Sequence, residues 1–404
     1  MEISKRFKFW RAILLILVFT LTPSIILAKG FEWWRFRLRP TISFSEKYTD
    51  NIYKDHNDRR EDFVSFINPI LALDFALAPR NYITLAYKGD YEFHVHYHNF
   101  RKFMHTSSLL WNWQSPRGSK ILAGTIYTDK AYQAYSPKEN YRNYIQRDYF
   151  FKSLWRIGEN LGFHFTYGKR TLRFDSKRYT YDEYDANYLI LRTDYYYFPF
   201  TAFLIEYDRL DQNNKDVFTI STDYIAHRIL AGFTRTSDTA KLQGSFKIGY
   251  LFVDMEAGDN LSEWSIDSDL KYRLTNFISL FWKASRIVAP AIRADRDSGD
   301  YSLTTRFSFR ARYQRNNKFS SEISFAYINK KYKFASNNKT VREDDAYKFR
   351  TALYYYPRRW ITVSLEYSYY QNDSDYKTTD YKENIYLLKI SLLNLMDKVN
   401  FLQF

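Results

Sequence analysis

The chain has 404 residues, with 60 Lys and Arg against 45 Asp and Glu, a net charge of +15, 20% aromatic side chains and no cysteine. With 38 Tyr and 34 Phe it is too aromatic for a disordered polyelectrolyte, and without cysteine it is neither a disulfide-stapled scaffold nor a thiolate metal protein. Its 12 glycines fall well below the usual ~7%, which argues against a Gly-rich phosphate-loop enzyme.

The first 28 residues place Lys5, Arg6, Lys8 and Arg11 before an apolar run from Ala12 to Leu21, then Pro23, Ser24 and a small residue, Ala28. A basic head, a short apolar core and a small-residue cleavage point are the order of a secretory signal peptide. The expected organisation is therefore a signal peptide over 1–28 and one mature domain over 29–404. Removing four basic and one acidic residue from the +15 of the whole chain leaves +12. An exported chain does not meet cytoplasmic nucleic acid, so its charge does not point to DNA or RNA. No later apolar run reaches the ~18 residues that a helical membrane span needs.

Beyond the signal, the chain alternates with period two. Along 82–97, Ile83, Leu85, Tyr87, Tyr91 and Phe93 form one row, and Thr84, Lys88, Asp90, Glu92, His94 and His96 the other. Trp264, Ile266, Leu270 and Tyr272 alternate with Ser265, Asp267, Asp269, Lys271 and Arg273. Leu303, Thr305, Phe307 and Phe309 alternate with Thr304, Arg306, Ser308 and Arg310, and Ile361, Val363, Leu365 and Tyr367 with Thr362, Ser364 and Glu366. A soluble sandwich would alternate too. Strands of ten to fifteen residues with an unbroken apolar row and an ionic opposite row instead match a closed barrel in lipid, apolar outside and watery within. Closure is required because an open edge in hydrocarbon leaves backbone amides unpaired.

Tight turns are marked at Pro79-Arg80-Asn81, Pro116-Arg117-Gly118, Gly158-Glu159-Asn160, Pro199, Thr236-Ser237-Asp238, Thr275-Asn276, Arg315-Asn316-Asn317-Lys318 and Pro357-Arg358-Arg359, about 40 residues apart. Longer loops fall midway, around 54–60, 99–102, 131–143, 175–181, 211–216, 256–262, 289–299, 335–344 and 373–382. These predict an all-β, transmembrane, antiparallel up-and-down barrel of about 18 strands, or 16 if the weak segment 131–145 lies in a loop. The loops read as too short for a large folded-in constriction. The terminal Phe404 resembles the signal that outer-membrane assembly machinery reads.

The most specific local pattern opens the barrel. Tyr48-Thr49-Asp50-Asn51-Ile52-Tyr53 ends the first strand; after a polar loop come Asp62-Phe63 and then Ile67-Asn68-Pro69 on the second. This resembles the start of the "putative beta-barrel porin 2" family, whose members open with an aromatic-x-Asp-Asn-aliphatic-aromatic motif followed by Asp-Phe and an aliphatic-x-Pro. The resemblance covers about 35 residues, and Ile70 stands where the family often has Gly. It implies a barrel in the bacterial outer membrane, frequently encoded with exopolysaccharide export machinery. On physical grounds Asp50 and Asn51 suit local backbone hydrogen bonds, with Tyr48 and Tyr53 at headgroup level.

A conduit function would be written on the lumen rows. Arg37, Arg39, Lys88, Lys247, Lys271, Arg273, Arg306, Arg310, Arg312, Lys348 and Arg350 share the wet parity, although Glu206, Asp267, Asp269 and Glu366 lie there too. A one-signed wall concentrates anionic solutes; mixed charge merely keeps a lumen hydrated or closes it by ion pairs. His94, His96 and His98 could seed a metal site, but same-face strand residues are about 6.6 Å apart, awkward for three ligands on one ion. They read as solvated lumen residues, with no metal or other cofactor expected. No hydrolase motif spacing appears, so the chain does not read as an enzyme. The expected function is an outer-membrane conduit for anionic exopolysaccharide, working with periplasmic export components and bedded in outer-membrane lipid. The alternatives are a general diffusion porin and a plugged structural or surface-interaction barrel.

Overall fold

The computed structural model describes residues 31–97, 102–132, 142–176, 182–215, 223–237, 239–256, 259–290, 301–333, 340–375 and 379–392. The expected signal peptide, His98 and the terminal Phe404 lie outside the described residues.

Alternation of apolar and ionic residues becomes extended chain throughout. The strands are β1 (Phe31–Trp33), β2 (Phe36–Thr49), β3 (Asp62–Ala78), β4 (Asn81–His94), β5 (Lys102–Gln114), β6 (Lys120–Tyr132), β7 (Arg142–Ile157), β8 (Leu161–Phe174), β9 (Tyr184–Phe198) and β10 (Thr201–Asn214). They continue with β11 (Tyr224–Arg235), β12 (Leu242–Met255), β13 (Leu261–Arg273), β14 (Ile278–Pro290), β15 (Tyr301–Gln314), β16 (Phe319–Lys333), β17 (Thr340–Arg358), β18 (Ile361–Ser374) and β19 (Tyr381–Leu392). Each of β2 to β19 pairs antiparallel with the next, and β19 returns to β2 from Ile385↔Thr49 to Leu392↔Ile42. The result is a closed barrel of 18 strands. Strands β6 and β7 bound the weak segment 131–145, which removes the 16-strand alternative. Short β1 pairs with β2 from Phe31↔Leu38 to Trp33↔Phe36, next to the seam and on the side of the tight turns.

All eight expected tight turns join consecutive strands. Two of the two-residue turns, between β3 and β4 and between β9 and β10, hold Arg80 (φ 63°) and Phe200 (φ 66°) left-handed, the backbone twist that short hairpins favour. The longer connections are shorter than expected at 335–344, because β17 already begins at Thr340.

The apolar row faces outward, with Leu85 55%, Ile205 65%, Ile248 52% and Leu365 57% exposed. Such a belt is stable only against acyl chains. Aromatic pairs flank it at both rims: Phe36 on Phe75 and Phe319 on Tyr355, each 4.8 Å between ring centres, near the turns, and Tyr48 on Phe63 at 5.0 Å near the loops. Amphipathic rings at those levels anchor a barrel between headgroups and hydrocarbon.

Two local departures have identifiable causes. The β3–β4 ladder skips between Ile67↔Tyr91 and Ile70↔Lys88, where Pro69 has no N–H to give; Asn68 Nδ2 instead donates to Asp90 Oδ1 at 2.8 Å. On β11 and β12 the backbones approach so closely that a Cβ on Gly232 would meet Phe246 O at 1.9 Å and Lys247 Cα at 2.8 Å. Gly232→Ala is therefore expected to destabilise the barrel by about 1–3 kcal/mol, read as a lower urea midpoint for the folded barrel in lipid.

The wall between β13 and β14 differs from its neighbours. Their ladder runs from Arg273↔Ser279 only to Asp267↔Ser285, leaving 261–266 and 286–290 without register partners across that junction. The outer ends of β14 and β15 instead tuck inside β11–β13. Register puts Val288, Leu303 and Tyr301 on the outward parity, yet they are buried in one cluster with Tyr224, Ala226, Leu251 and Val253 from the inward face. The expectation that the whole Leu303–Phe309 row meets lipid is corrected here. Phe309 is exposed, whereas Leu303 and Thr305 lie behind the neighbouring wall.

Candidate functional site

Side chains paired across a ladder share a face, so the register assigns the eleven candidate cations to the inward row. Most of them have partners. Arg39 meets Asp74 at 2.6 Å, Lys88 meets Asp90 at 2.8 Å, and Lys247 meets Glu206 at 2.6 Å and Asp267 at 3.0 Å. Arg350 donates to Glu322 at 2.7 Å, to Glu366 at 2.8 Å and to the Tyr354 hydroxyl at 2.8 Å. Arg310 lies 4.2 Å from the Phe281 ring centre and 3.8 Å from Glu322; Lys271 sits 5.9 Å from the same ring. Arg312 approaches Tyr356, and Arg273 donates its backbone N–H to Lys241 at the turn end of β13. Arg37 pairs with Glu32 of β1 at 3.3 Å, at the exposed rim. Arg306 and Lys348 are exposed, and among the described residues neither has a carboxylate partner.

The inner wall thus divides into two arcs of different character. Across β7–β12, most charge is held in ion pairs: Arg170 with Asp148 at 2.5 Å, Arg192 with Asp194 at 2.6 Å, Arg228 with Asp208, and Lys247 with Glu206. Across β15–β19, cations crowd together. Lys348 is within electrostatic reach of Arg350 and Arg306 and of Glu383 and Glu366, Lys330 of Asp344 as well as Arg342 and Arg306, and Lys389 of Glu366 and Asp90 as well as Lys88 and Arg350, so cations outnumber carboxylates there without excluding them. A wall of one sign around the whole lumen, one of the two expectations, is replaced by a cation-rich arc facing a largely ion-paired one. Lys330 and Lys389 were not among the candidates. Their signal was present, since Lys330 shares the parity of Glu322 on β16 and Lys389 that of Glu383 on β19.

At the outer mouth the opening motif ties the barrel shut. Asp50 accepts from Asn384 N and from Asn384 Nδ2, both at 2.7 Å, and Asn51 Nδ2 donates to Lys382 O at 2.9 Å. Thr49 Oγ1 donates to Glu383 Oε1 at 2.7 Å. The Asp-Asn pair therefore staples the first barrel strand to the last, a long-range role beyond the local turn bonds expected, which Asn51 also makes with Asp55. Tyr48 sits at the outer rim, its hydroxyl 2.6 Å from Glu61, as expected. Tyr53 does not: it is 6% exposed, and Ile52 beside it packs with Val64 and Phe66 on the inward row of β3. Residues 51–54 thus turn inward, a short inward step rather than a large folded-in constriction. Phe63 faces out, and Pro69 breaks the β3–β4 ladder.

Asp62 is the hub of this mouth. Fully buried, it accepts from His94 Nδ1 at 2.8 Å, from His96 N at 3.0 Å and from Phe63 N at 2.9 Å, with His96 Nδ1 at 3.1 Å. The reading of His94 as a solvated lumen residue is overturned, because it is only 3% exposed. Both imidazoles close on one carboxylate, and among the described residues no group of three His, Asp or Glu is placed to hold a metal ion.

The inward loop also carries Lys54, which sequence parity could not reveal because it lies beyond the strand. Its ammonium lies 5.9 Å from the Tyr381 ring centre, and burial pushes its pKa below the ordinary lysine value. The folded state then holds the proton less tightly than the unfolded chain, so barrel stability rises as pH climbs from the depressed pKa towards the ordinary one. Over that window the mouth also loses one positive charge. Anion selectivity is expected to decline there in the parent protein, and this component is expected to vanish in Lys54→Met when reversal potentials are followed against pH.

Several solved outer-membrane proteins of Pseudomonas aeruginosa are similar in fold. OccK3 (OpdO) is 12% identical over 88% of this chain and 95% of its own, with a TM-score of 0.47. For OpdL the values are 10%, 88%, 98% and 0.47, and for the siderophore receptor PirA 9%, 88%, 80% and 0.46. No curated protein sequence matches the chain. The family model described as "Putative beta-barrel porin 2" matches residues 167–393, more than half of the chain and downstream of the motif residues that first suggested it. With a closed 18-strand barrel, an apolar outer belt and a charged interior, the chain belongs to this family of porins and resides in the bacterial outer membrane.

Proposed function

We propose that the barrel is a conduit for an acidic polymer, an exported anionic polysaccharide, which passes along its axis without covalent chemistry. The observation that carries this reading is the cationic arc of β15–β19, where Arg306 and Lys348 are exposed without carboxylate partners among the described residues. Cations neutralised by ion pairs hydrate a wall but attract little, whereas these two offer a track along which successive carboxylates of a chain can exchange partners. The opposite arc holds most of its charge in ion pairs and so offers the passenger fewer sites at which to lodge. In this reading periplasmic export components deliver the chain to the inner mouth. A second reading, diffusion of small acidic solutes, is favoured by one observation: residues 51–54 fold into the mouth and bury Asn51, Ile52 and Tyr53. Conductance of the purified barrel in a planar bilayer, with and without alginate as an acidic polymer and dextran as a neutral one, separates the two. Block by alginate alone supports the polymer reading; conductance indifferent to both supports the small-solute reading.

A further inference from the structure

The break between β13 and β14 is more than an irregular edge. In the hydrocarbon of a membrane, an unpaired strand edge is costly, and here side chains cover it, Arg286 foremost. Arg286, on the outward parity of β14, reaches behind β13: its Nη2 donates to Glu263 Oε2 at 2.8 Å and its Nη1 to Thr305 Oγ1 at 3.1 Å. Its guanidinium lies 4.5 Å from the centre of the Trp264 ring, which faces outward and is 42% exposed. Ser265 Oγ donates to Arg286 O at 2.8 Å, the contact that replaces the missing ladder. The remaining hold between the overlapped edges is apolar contact of Val288, Tyr301 and Leu303 on β11–β13. Such contact is non-directional and lets two surfaces slide, unlike a ladder of backbone bonds.

On the lumen side of the overlapped β14 edge lies a cavity of about 320 Å³, lined from β7–β12 and from Ile287 and Val288 of β14. Its lining is amphiphilic: Leu210, Leu251, Ile287 and Val288 contribute apolar surface, and Lys152, Arg170, Arg209 and Arg228 outnumber the one lining carboxylate, Asp208, with Arg170 held by Asp148 and Arg228 by Asp208. A lumen wall built only for a hydrated polymer has no use for an apolar pocket, and the usual barrel interior is polar. We propose that the β13–β14 overlap is a lateral port latched by Arg286, through which a single-chain amphiphile with an anionic headgroup passes between this cavity and the outer leaflet. The apolar lining takes the acyl chain and the cations take the headgroup. Separation of the Arg286–Glu263 pair and rotation of Trp264 open the side of the barrel without disturbing the ladder below Asp267↔Ser285.

The absence of cysteine from the natural chain makes the test clean. Ser265→Cys/Ile287→Cys, one position on each edge of the overlap, keeps the Arg286–Glu263 pair and gives up the Ser265 Oγ bond to Arg286 O, so the same variant before crosslinking is its own reference; it is joined by a short bismaleimide in liposomes containing a lysophospholipid with a diazirine in its acyl chain. Before crosslinking, irradiation is expected to label peptides carrying Leu210 and Leu251. After crosslinking, that labelling is expected to fall to background while labelling of the outward belt, such as Ile248, persists. The proposal is overturned if the inner peptides are never labelled, or are labelled equally after the edges are joined. A second variant, Arg286→Met, is expected to raise inner labelling; unchanged labelling contradicts the latch. Axial conductance reports on the polysaccharide reading separately, so either account can fail alone.

Discussion

Asp62→Ala is expected to lower the stability of the barrel by about 3–5 kcal/mol, the range for removing one partner from a buried charged network. The carboxylate has no exposure and accepts from both His94 and His96 as well as from two backbone amides. Its loss removes the Nδ1 partner of His94, itself buried, which keeps Glu92 at 3.3 Å, and frees the end of β4 from the start of β3. Asp62→Asn keeps the shape and one acceptor oxygen and should recover part of the loss. The natural comparison is Asp58→Ala: Asp58 pairs with Arg60 at 2.9 Å in the same loop, but both are about half exposed, and exposed pairs contribute little. Urea unfolding in lipid, together with the temperature at which the folded band disappears on a gel, checks the order Asp62→Ala, then Asp62→Asn, then Asp58→Ala. Equal stability of the first and last variants would remove Asp62 as the hub of the mouth.

The second large effect is electrostatic. Arg306→Glu/Lys348→Glu replaces two positive charges by two negative ones on the arc that carries the functional reading. Because neither residue is held in an ion pair among the described residues, the fold is expected to tolerate the change. The potential along the arc reverses locally, and permeability ratios for anions over cations should fall by about tenfold or more at low salt, with the difference shrinking as salt screens it. A matched reversal on the ion-paired arc, Arg228→Glu, behaves differently. It places a second carboxylate beside Asp208, so its main consequence is lost stability. Reversal potentials in graded salt, paired with unfolding curves, distinguish a lumen that selects from one that is only hydrated. Equal selectivity in the parent and the Arg306/Lys348 variant would show that the arc does not act on the passenger.

Much of the fold was legible because the two requirements of a lipid-embedded barrel write themselves directly into sequence. Lipid demands an apolar residue at every second position and the lumen tolerates ions at the others, so Leu85 against Lys88 or Ile248 against Lys247 declares the wall. Turn chemistry at Pro79-Arg80, Gly158 and Pro357 marks the hairpins. What was not legible depends on distance in sequence. That Asp50 and Asn51 bond residues 382 and 384 follows from closure, which no local pattern encodes. Tyr53 looked like a headgroup anchor because it is aromatic and terminal to a strand; the inward path of its loop, which no strand parity constrains, decided otherwise. The His94 and Asp62 pairing required knowing that β3 and β4 place their outer ends together. The break between β13 and β14 leaves Arg286 and Val288 in ordinary alternation, and only the register of both neighbouring strands shows that one edge has passed behind the other. Charge shows the same limit. Parity identified the inward cations, but whether each is neutralised depends on a carboxylate one or two strands away, as with Arg350 between Glu322 and Glu366.

The most direct test of the conduit is single-barrel recording in a planar bilayer with alginate added on the periplasmic side. An anion-selective conductance is expected, one that alginate interrupts in discrete, salt-sensitive blocks, that dextran leaves untouched, and that Arg306→Glu/Lys348→Glu no longer shows. A barrel that conducts under no condition, or that prefers cations and ignores alginate, would contradict a cationic conduit for an acidic polymer.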